Sequence, residues 1–150
     1  MYHTILVAVD GSEAGYHALK EAVKLSKLAG ASVEVIFVFH PQIHSQMIDK
    51  HVTVKDESGK EHTITLAEQE ENGIRRRVLQ IGEDANIAIS YNHTIGTVTE
   101  EIILAAKTRN ADLIVIGSTG KSMAGRILLG SISAAVVERS PLPVLVTREK

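Results

Sequence analysis

The chain has 150 residues, 44% of them hydrophobic, with 16 Lys plus Arg against 18 Asp plus Glu and a formal net charge of −2. That length suits one domain, and a chain of this size buries about 70% of its unfolded surface, so it needs no disulfide or structural metal to fold. The absence of cysteine excludes disulfide scaffolds, Cys-ligated zinc and thiol chemistry, while near-neutral charge with three Tyr, two Phe and no Trp argues against a basic, base-stacking nucleic-acid binder.

Residues 1–10, MYHTILVAVD, carry no basic leader, and their apolar run at 5–9 is too short for a signal core or a membrane span of about 20 residues. The expectation is a cytoplasmic protein with no membrane or nucleic-acid partner. The run at 5–9 is β-branched, ends at Asp10-Gly11-Ser12 and reads as a strand buried on both faces. Ser12 then caps a helix in which Ala14, Ala18, Leu19, Ala22, Val23, Leu25 and Ala29 share one face at spacings of three and four, until Gly30 stops it. Residues 33–39 are apolar apart from Glu34, which completes a parallel βαβ unit.

Residues 41–64 break the alternation. In HVTVKDESGKEHTIT (51–65), Val52, Val54 and Ile64 alternate with polar neighbours around Asp56-Glu57-Ser58-Gly59. That is the pattern of an inserted hairpin, with a plain surface loop as the alternative. Thr65-Leu66-Ala67-Glu68 fits a capping box opening a helix to about Gln80, and Thr97-Val98-Thr99-Glu100 fits another opening a helix over 98–109. Strands at 87–91 and 113–116, a helix ending near Arg139 and a last strand at 144–147 complete the chain. Right-handed crossovers then favour a doubly wound, five-stranded parallel sheet with helices on both faces.

The stretch GSTGKSMAGRILLGS (117–131) follows the most hydrophobic strand. Glycines at a strand's C-terminal end permit positive φ and close approach of a ligand to backbone amides. Gly130 and Ser131 open the last helix, whose unpaired N–H groups favour an anion. The combination suggests a phosphate cradle; the plainer alternative is that these glycines serve only turns and caps. Gly120-Lys121-Ser122 is not a Walker A loop, because the required first glycine falls on Val115, inside the strand. The first βα turn, Asp10-Gly11-Ser12, also lacks the G-x-G-x-x-G of dinucleotide-binding folds.

The spacing that does match is G-x2-G-x9-G-[ST], at Gly117, Gly120, Gly130 and Ser131. With ILVAVDGS near the start, ADLIVIGSTG and SPLPVLV, the chain resembles the universal stress protein family over nearly its whole length, and in particular its ATP-binding branch. Residues 41–64 are the weak part of the resemblance. The resemblance implies strand order 3-2-1-4-5, which brings Asp10 and the Gly117 loop together at the switch point where such sheets bind ligands. It further implies that Ala8, Asp10 and the backbone of Val38 hold the adenosine end of ATP, ADP or AMP. Gly117, Gly120, Gly130, Ser131 and Ile132, with Ile116 beneath, would hold ribose and phosphates.

A carboxylate beside phosphates repels them, so Asp10 must face the base or ribose or share a Mg2+ or Mn2+ with the phosphates; capping its own turn is the alternative role. The final strand, 144–147, lies at the sheet edge in that order and carries no charge before Arg148, so a homodimer formed through it is expected. His40, His44 and His51 read as surface histidines rather than metal ligands, and Arg75-Arg76-Arg77, with Lys55 and Lys60, as a solvated face among Glu68, Glu70 and Glu71. No Ser-His-Asp or paired-carboxylate constellation can be argued, and the G-x-S-x-G elbow is missing. The expectation is an ATP-binding, nucleotide-dependent switch in stress response with no dedicated catalytic residues. The alternatives are a slow ATP hydrolase or phosphotransferase, and an interaction scaffold that needs no nucleotide.

Overall fold

The structure, a computed structural model, describes residues 2–42, 45–118, 122–123, 126–127 and 130–149. Strand β1 (Thr4–Val9), helix α1 (Glu13–Ala29) and strand β2 (Ser32–Phe39) form the expected first unit. Ser12 accepts a hydrogen bond from the Gly15 N–H at the start of α1, and Gly30 ends the helix at φ 69°, its N–H donating to the Ser26 carbonyl. A short α2 (Ser45–Ile48), which no sequence signal marked, precedes the hairpin of β3 (His51–Lys55) and β4 (Glu61–Thr65). Its register sets Val52 opposite Ile64 and Val54 opposite His62. The Asp56 carboxylate closes the turn by accepting from the Ser58 and Lys60 N–H groups, and His62 Nε2 lies 2.7 Å away.

Helix α3 (Leu66–Asp84) starts at Thr65, whose hydroxyl accepts from the Glu68 N–H, and runs four residues past the expected end. Strand β5 (Ile89–Ile95) follows, then α4 (Val98–Thr108), β6 (Leu113–Gly117), a two-residue pair β7 (Ser122–Met123) and β8 (Arg126–Ile127), α5 (Ser131–Arg139) and β9 (Val144–Thr147). The main sheet has the order β5-β2-β1-β6-β9, every neighbour pair parallel. Counted along the chain, its five strands run 3-2-1-4-5, as the resemblance implied.

Both sheet faces are covered. Ile5, Val7, Val9, Val33, Val35, Phe37, Leu113 and Val115 pack with Leu19 and Ala22 of α1 and Ile74, Val78 and Ile81 of α3. On the other face Leu6, Ile36, Val38, Ile114 and Ile116 meet Ile102, Ala105 and Ala106 of α4 and Val136 of α5. Burial on both faces is why β1, β2 and β6 read as near-continuous apolar runs, with Glu34 of β2 the exception, rather than alternating.

Two local expectations need correction. The third sheet strand covers 89–95, not 87–91: the Ile87 N–H is used by the Gly82 carbonyl at 2.8 Å, which ties residues 86–87 to the end of α3. Helix α4 forms, but the Thr97 side chain makes no capping hydrogen bond. No helix among the described residues is long and apolar enough to cross a membrane.

Candidate functional site

Strand order reverses between β2-β1 and β6-β9, and a cavity of about 590 Å³ opens at the C-terminal ends of these strands. Its size falls within the roughly 300–1,000 Å³ of small-molecule pockets. The residues expected from sequence collect here in two groups. Ala8, Asp10 and Val38 line the β1/β2 side, with Ile36 and Phe37 beside them and Val98 and Ile102 of α4. Ile116, Gly117, Gly130, Ser131 and Ile132 line the β6/α5 side. Gly120, Lys121 and His44 lie outside the described residues.

Three helices start at the cavity, α1, α4 (whose first residue, Val98, lines it) and α5, and they differ in a way that bears on where an anion fits. At α1 local side chains take up two of the backbone donors: Asp10 Oδ1 accepts from the Ser12 N–H at 2.9 Å and from the Ser12 hydroxyl, and Ser12 Oγ accepts from the Gly15 N–H at 3.2 Å. At α5 the cap is Gly130, which has no side chain to fold back, and no side-chain capping bond is made. The first-turn N–H groups of a helix have no intrahelical acceptor and carry the positive end of its dipole. The first turn of α1 carries Glu13 and that of α4, also without a side-chain cap, carries Glu100 and Glu101, whereas that of α5 carries no acidic residue. The α5 end of the cavity is therefore the one best suited to an anion. Asp10 performs the turn-capping role through one oxygen, and its Oδ2 has no hydrogen-bond partner among the described residues.

Neither Gly117 nor Gly130 has positive φ; Gly130 sits at φ −66°. Gly117 is required by packing, because a Cβ there would lie 2.5 Å from the Ala14 carbonyl oxygen of α1. The bare backbone at the end of β6 is what lets the first turn of α1 close down on the sheet.

Four polar residues at the cavity escaped sequence reasoning: Glu13, Ser118, Ser133 and Glu149. Ser118 is 2% exposed, and its hydroxyl has no partner among the described residues. Its N–H donates to the Thr147 carbonyl, which joins the loop after β6 to the end of β9. Glu13 lies 3.7 Å from Arg77 of α3, and the Arg77 guanidinium stacks over the Tyr16 ring at 4.8 Å. Burial holds the Tyr16 hydroxyl above its ordinary pKa, Arg77 opposes that, and Glu13 and Asp10 reinforce it. The hydroxyl therefore stays protonated at neutral pH.

The remaining candidates resolve into structure. Arg75 does not simply face solvent: it donates to both oxygens of Glu71 at 3.0 Å and lies 5.6 Å over the Tyr91 ring. His93 Nδ1 comes within 3.2 Å of the same carboxylate. His51 starts β3 and is exposed. No group of three or more His, Cys, Asp or Glu able to hold a metal occurs among the described residues.

An open parallel α/β sheet with a cavity at its switch point defines a class of small-ligand-binding domains. Within that class, the family model described as the universal stress protein family matches residues 1–148, and the chain belongs to that family. A universal stress protein of Methanocaldococcus jannaschii is 30% identical over 149 residues, covering 99% of this chain and 84% of the relative. Two solved structures share the fold. One, a universal stress protein in complex with cAMP, has a TM-score of 0.69 at 23% identity and covers 98% of this chain and 97% of its own. The other, from Archaeoglobus fulgidus in complex with dAMP, has a TM-score of 0.66 at 18% identity and covers 97% of each.

Proposed function

We propose that the chain binds an adenine nucleotide, ATP, ADP or AMP, in this cavity and acts as a nucleotide-dependent regulatory module of the stress response, paired with a second copy through β9. The observation that carries the reading is the cavity's division into two chemistries: an apolar end at Ala8, Ile36, Val38, Val98 and Ile102, and an uncapped helix N-terminus at Gly130–Ser133. A flat apolar base suits the first, and phosphate oxygens suit the second. Two relatives of the same fold, solved with cAMP and dAMP, support an adenine ligand. Asp10 and Glu13 at the rim suit a Mg2+ or Mn2+ held mainly by phosphate oxygens, since hard divalent cations take carboxylate and phosphate ligands.

Equilibrium binding and thermal unfolding with ATP and Mg2+ test this. A ligand bound only by the folded state adds about 2.7 kcal/mol at a hundred times its Kd, so the melting temperature should rise with nucleotide concentration. Ser131→Asp separates the site from the fold. An acid in the first turn of α5 suits the helix dipole, so the free variant should be at least as stable as the parent, yet its nucleotide-dependent shift should shrink. No shift with ATP, ADP or AMP overturns the reading. Phosphate release should stay below about one turnover per minute, against roughly 1–100 per second for kinases. Sustained turnover near one per second, lost in Asp10→Ala with binding retained, would establish the hydrolase instead. Glu13 and Glu149 add carboxylates that the sequence did not place at the site.

A further inference from the structure

We propose that Glu149, in the tail after β9, is a charge-selecting residue: it makes the cavity discriminate among adenine ligands by how much negative charge they carry at the α5 end. The inference rests on the nucleotide reading above and concerns which nucleotides that site prefers. Glu149 lines the cavity with Gly117, Ser118 and the start of α5. Its position follows from topology. Strand β9 pairs with β6 up to Thr147 opposite Gly117, the Ser118 N–H holds the Thr147 carbonyl at 3.0 Å, and Glu149 follows two residues later. The tail therefore leaves the sheet on the β6/β9 side, where the uncapped helix lies, and away from the apolar end at Val38. Among the described residues Glu149 makes no ion pair, and no Lys, Arg or His lines the cavity, whereas Asp10 and Glu13 add carboxylates across it.

The two electrostatic elements at this end oppose each other. The α5 dipole attracts one anion through its local N–H groups, an effect confined to about the first turn. The Glu149 carboxylate repels every negative charge within about a Debye length, roughly 8–10 Å at physiological salt. A first phosphate on the helix gains the local hydrogen bonds and meets modest repulsion. Each further phosphate adds repulsion, and the other two helix starts at the cavity offset little of it, because they carry first-turn carboxylates, Glu13 at α1 and Glu100 and Glu101 at α4. The site should therefore favour a nucleoside monophosphate over the triphosphate when no divalent cation is present, and a bound cation should narrow the difference.

The test is calorimetric titration of the 150-residue protein and of Glu149→Gln with adenosine, AMP and ATP in EDTA at low salt, repeated at high KCl, about 0.5 M, where the Debye length is a few Å. At water-like dielectric a single charge pair about 8 Å apart changes affinity by roughly twofold. At about twofold per charge, Glu149→Gln should therefore tighten the AMP dianion by about fourfold, ATP with its further charges by more than that, and adenosine negligibly. The high-salt series should erase the difference. An equal change for all three ligands, or none for ATP, overturns the selection while leaving the nucleotide site standing. Failure of all three ligands to bind either protein overturns the nucleotide reading and the selection with it.

Discussion

Gly117 owes its identity to α1 as well as to any ligand. Because a Cβ would meet the Ala14 carbonyl oxygen at 2.5 Å, Gly117→Ala must push helix from sheet, and such overpacking costs about 1–3 kcal/mol. Urea unfolding should show that loss without any ligand, so a binding defect in this variant would say little about the site. Asp112 makes a different kind of prediction. Its carboxylate accepts from the His3 N–H at 2.8 Å and the Thr4 N–H at 3.1 Å, which anchors the start of β1 to the loop before β6. Burial raises its pKa, but the bonds from the His3 and Thr4 backbone outweigh that and hold it below the ordinary value. A lowered carboxylate pKa favours the folded state above the unfolded value of about 3.9, and the contribution fades as pH falls through the folded value. Asp112→Ala should therefore be less stable than the parent at pH 7, and the gap between their urea midpoints should narrow below about pH 4.

At the scale of elements, the two capping sequences read alike and behave differently. Thr65 caps α3 through its hydroxyl. At α4, the Thr97 carbonyl accepts from the Glu101 N–H, but the carboxylate that folds back over the entry is Glu101, so close that a Cβ on Gly96 would lie 2.7 Å from Glu101 Oε1. Thr65→Ala should cost about 1 kcal/mol and Thr97→Ala less than half of that, a contrast that paired urea melts resolve. Apolar periodicity made β1, α1, β2 and β6 legible, because burial imposes it on them. Strand β5 was misplaced for the converse reason. It is an edge strand, and its alternation of Ile89, Tyr91, His93 and Ile95 is diluted by Ser90, Asn92 and Thr94. The hairpin was legible from the turn chemistry around Asp56. Its carboxyl is lowered to about 2, by the Ser58 hydroxyl first and His62 second.

For the whole molecule, the β9 edge sets the proposed dimer. The Pro143 and Thr147 carbonyls accept from Ile114 and Ser118, so by strand alternation the peptide groups of 143, 145 and 147 face β6, and those of Val144 and Val146 face the open edge. Val146→Pro removes an outward donor and spares the β6 ladder, as proline on an edge strand can. It should halve the mass seen in sedimentation. Leu145→Pro would instead break an internal bond and destabilise each subunit. A monomeric parent at micromolar concentration with ATP present would rule out this edge. The same scale explains what the sequence concealed at the cavity. The motif residues sit in local patterns, whereas Glu13, Ser118 and Glu149 converge only through the order of the strands.

That order also governs how the chain comes into being. Strand β1 sits in the middle of the sheet, with β2 on one side and β6 on the other. Its second neighbour begins only at Leu113. While the polypeptide emerges from the ribosome, the βαβ unit at its start can close early, yet one apolar edge of β1 stays open until most of the chain has been made. Pairing across so long a loop is slow, and an open strand edge in the interval is where misassembly begins. Ile5, Leu6 and Val7, fully buried in the finished domain, are thus its most vulnerable residues during synthesis, and a nascent chain stalled before β6 should be an early client of chaperones.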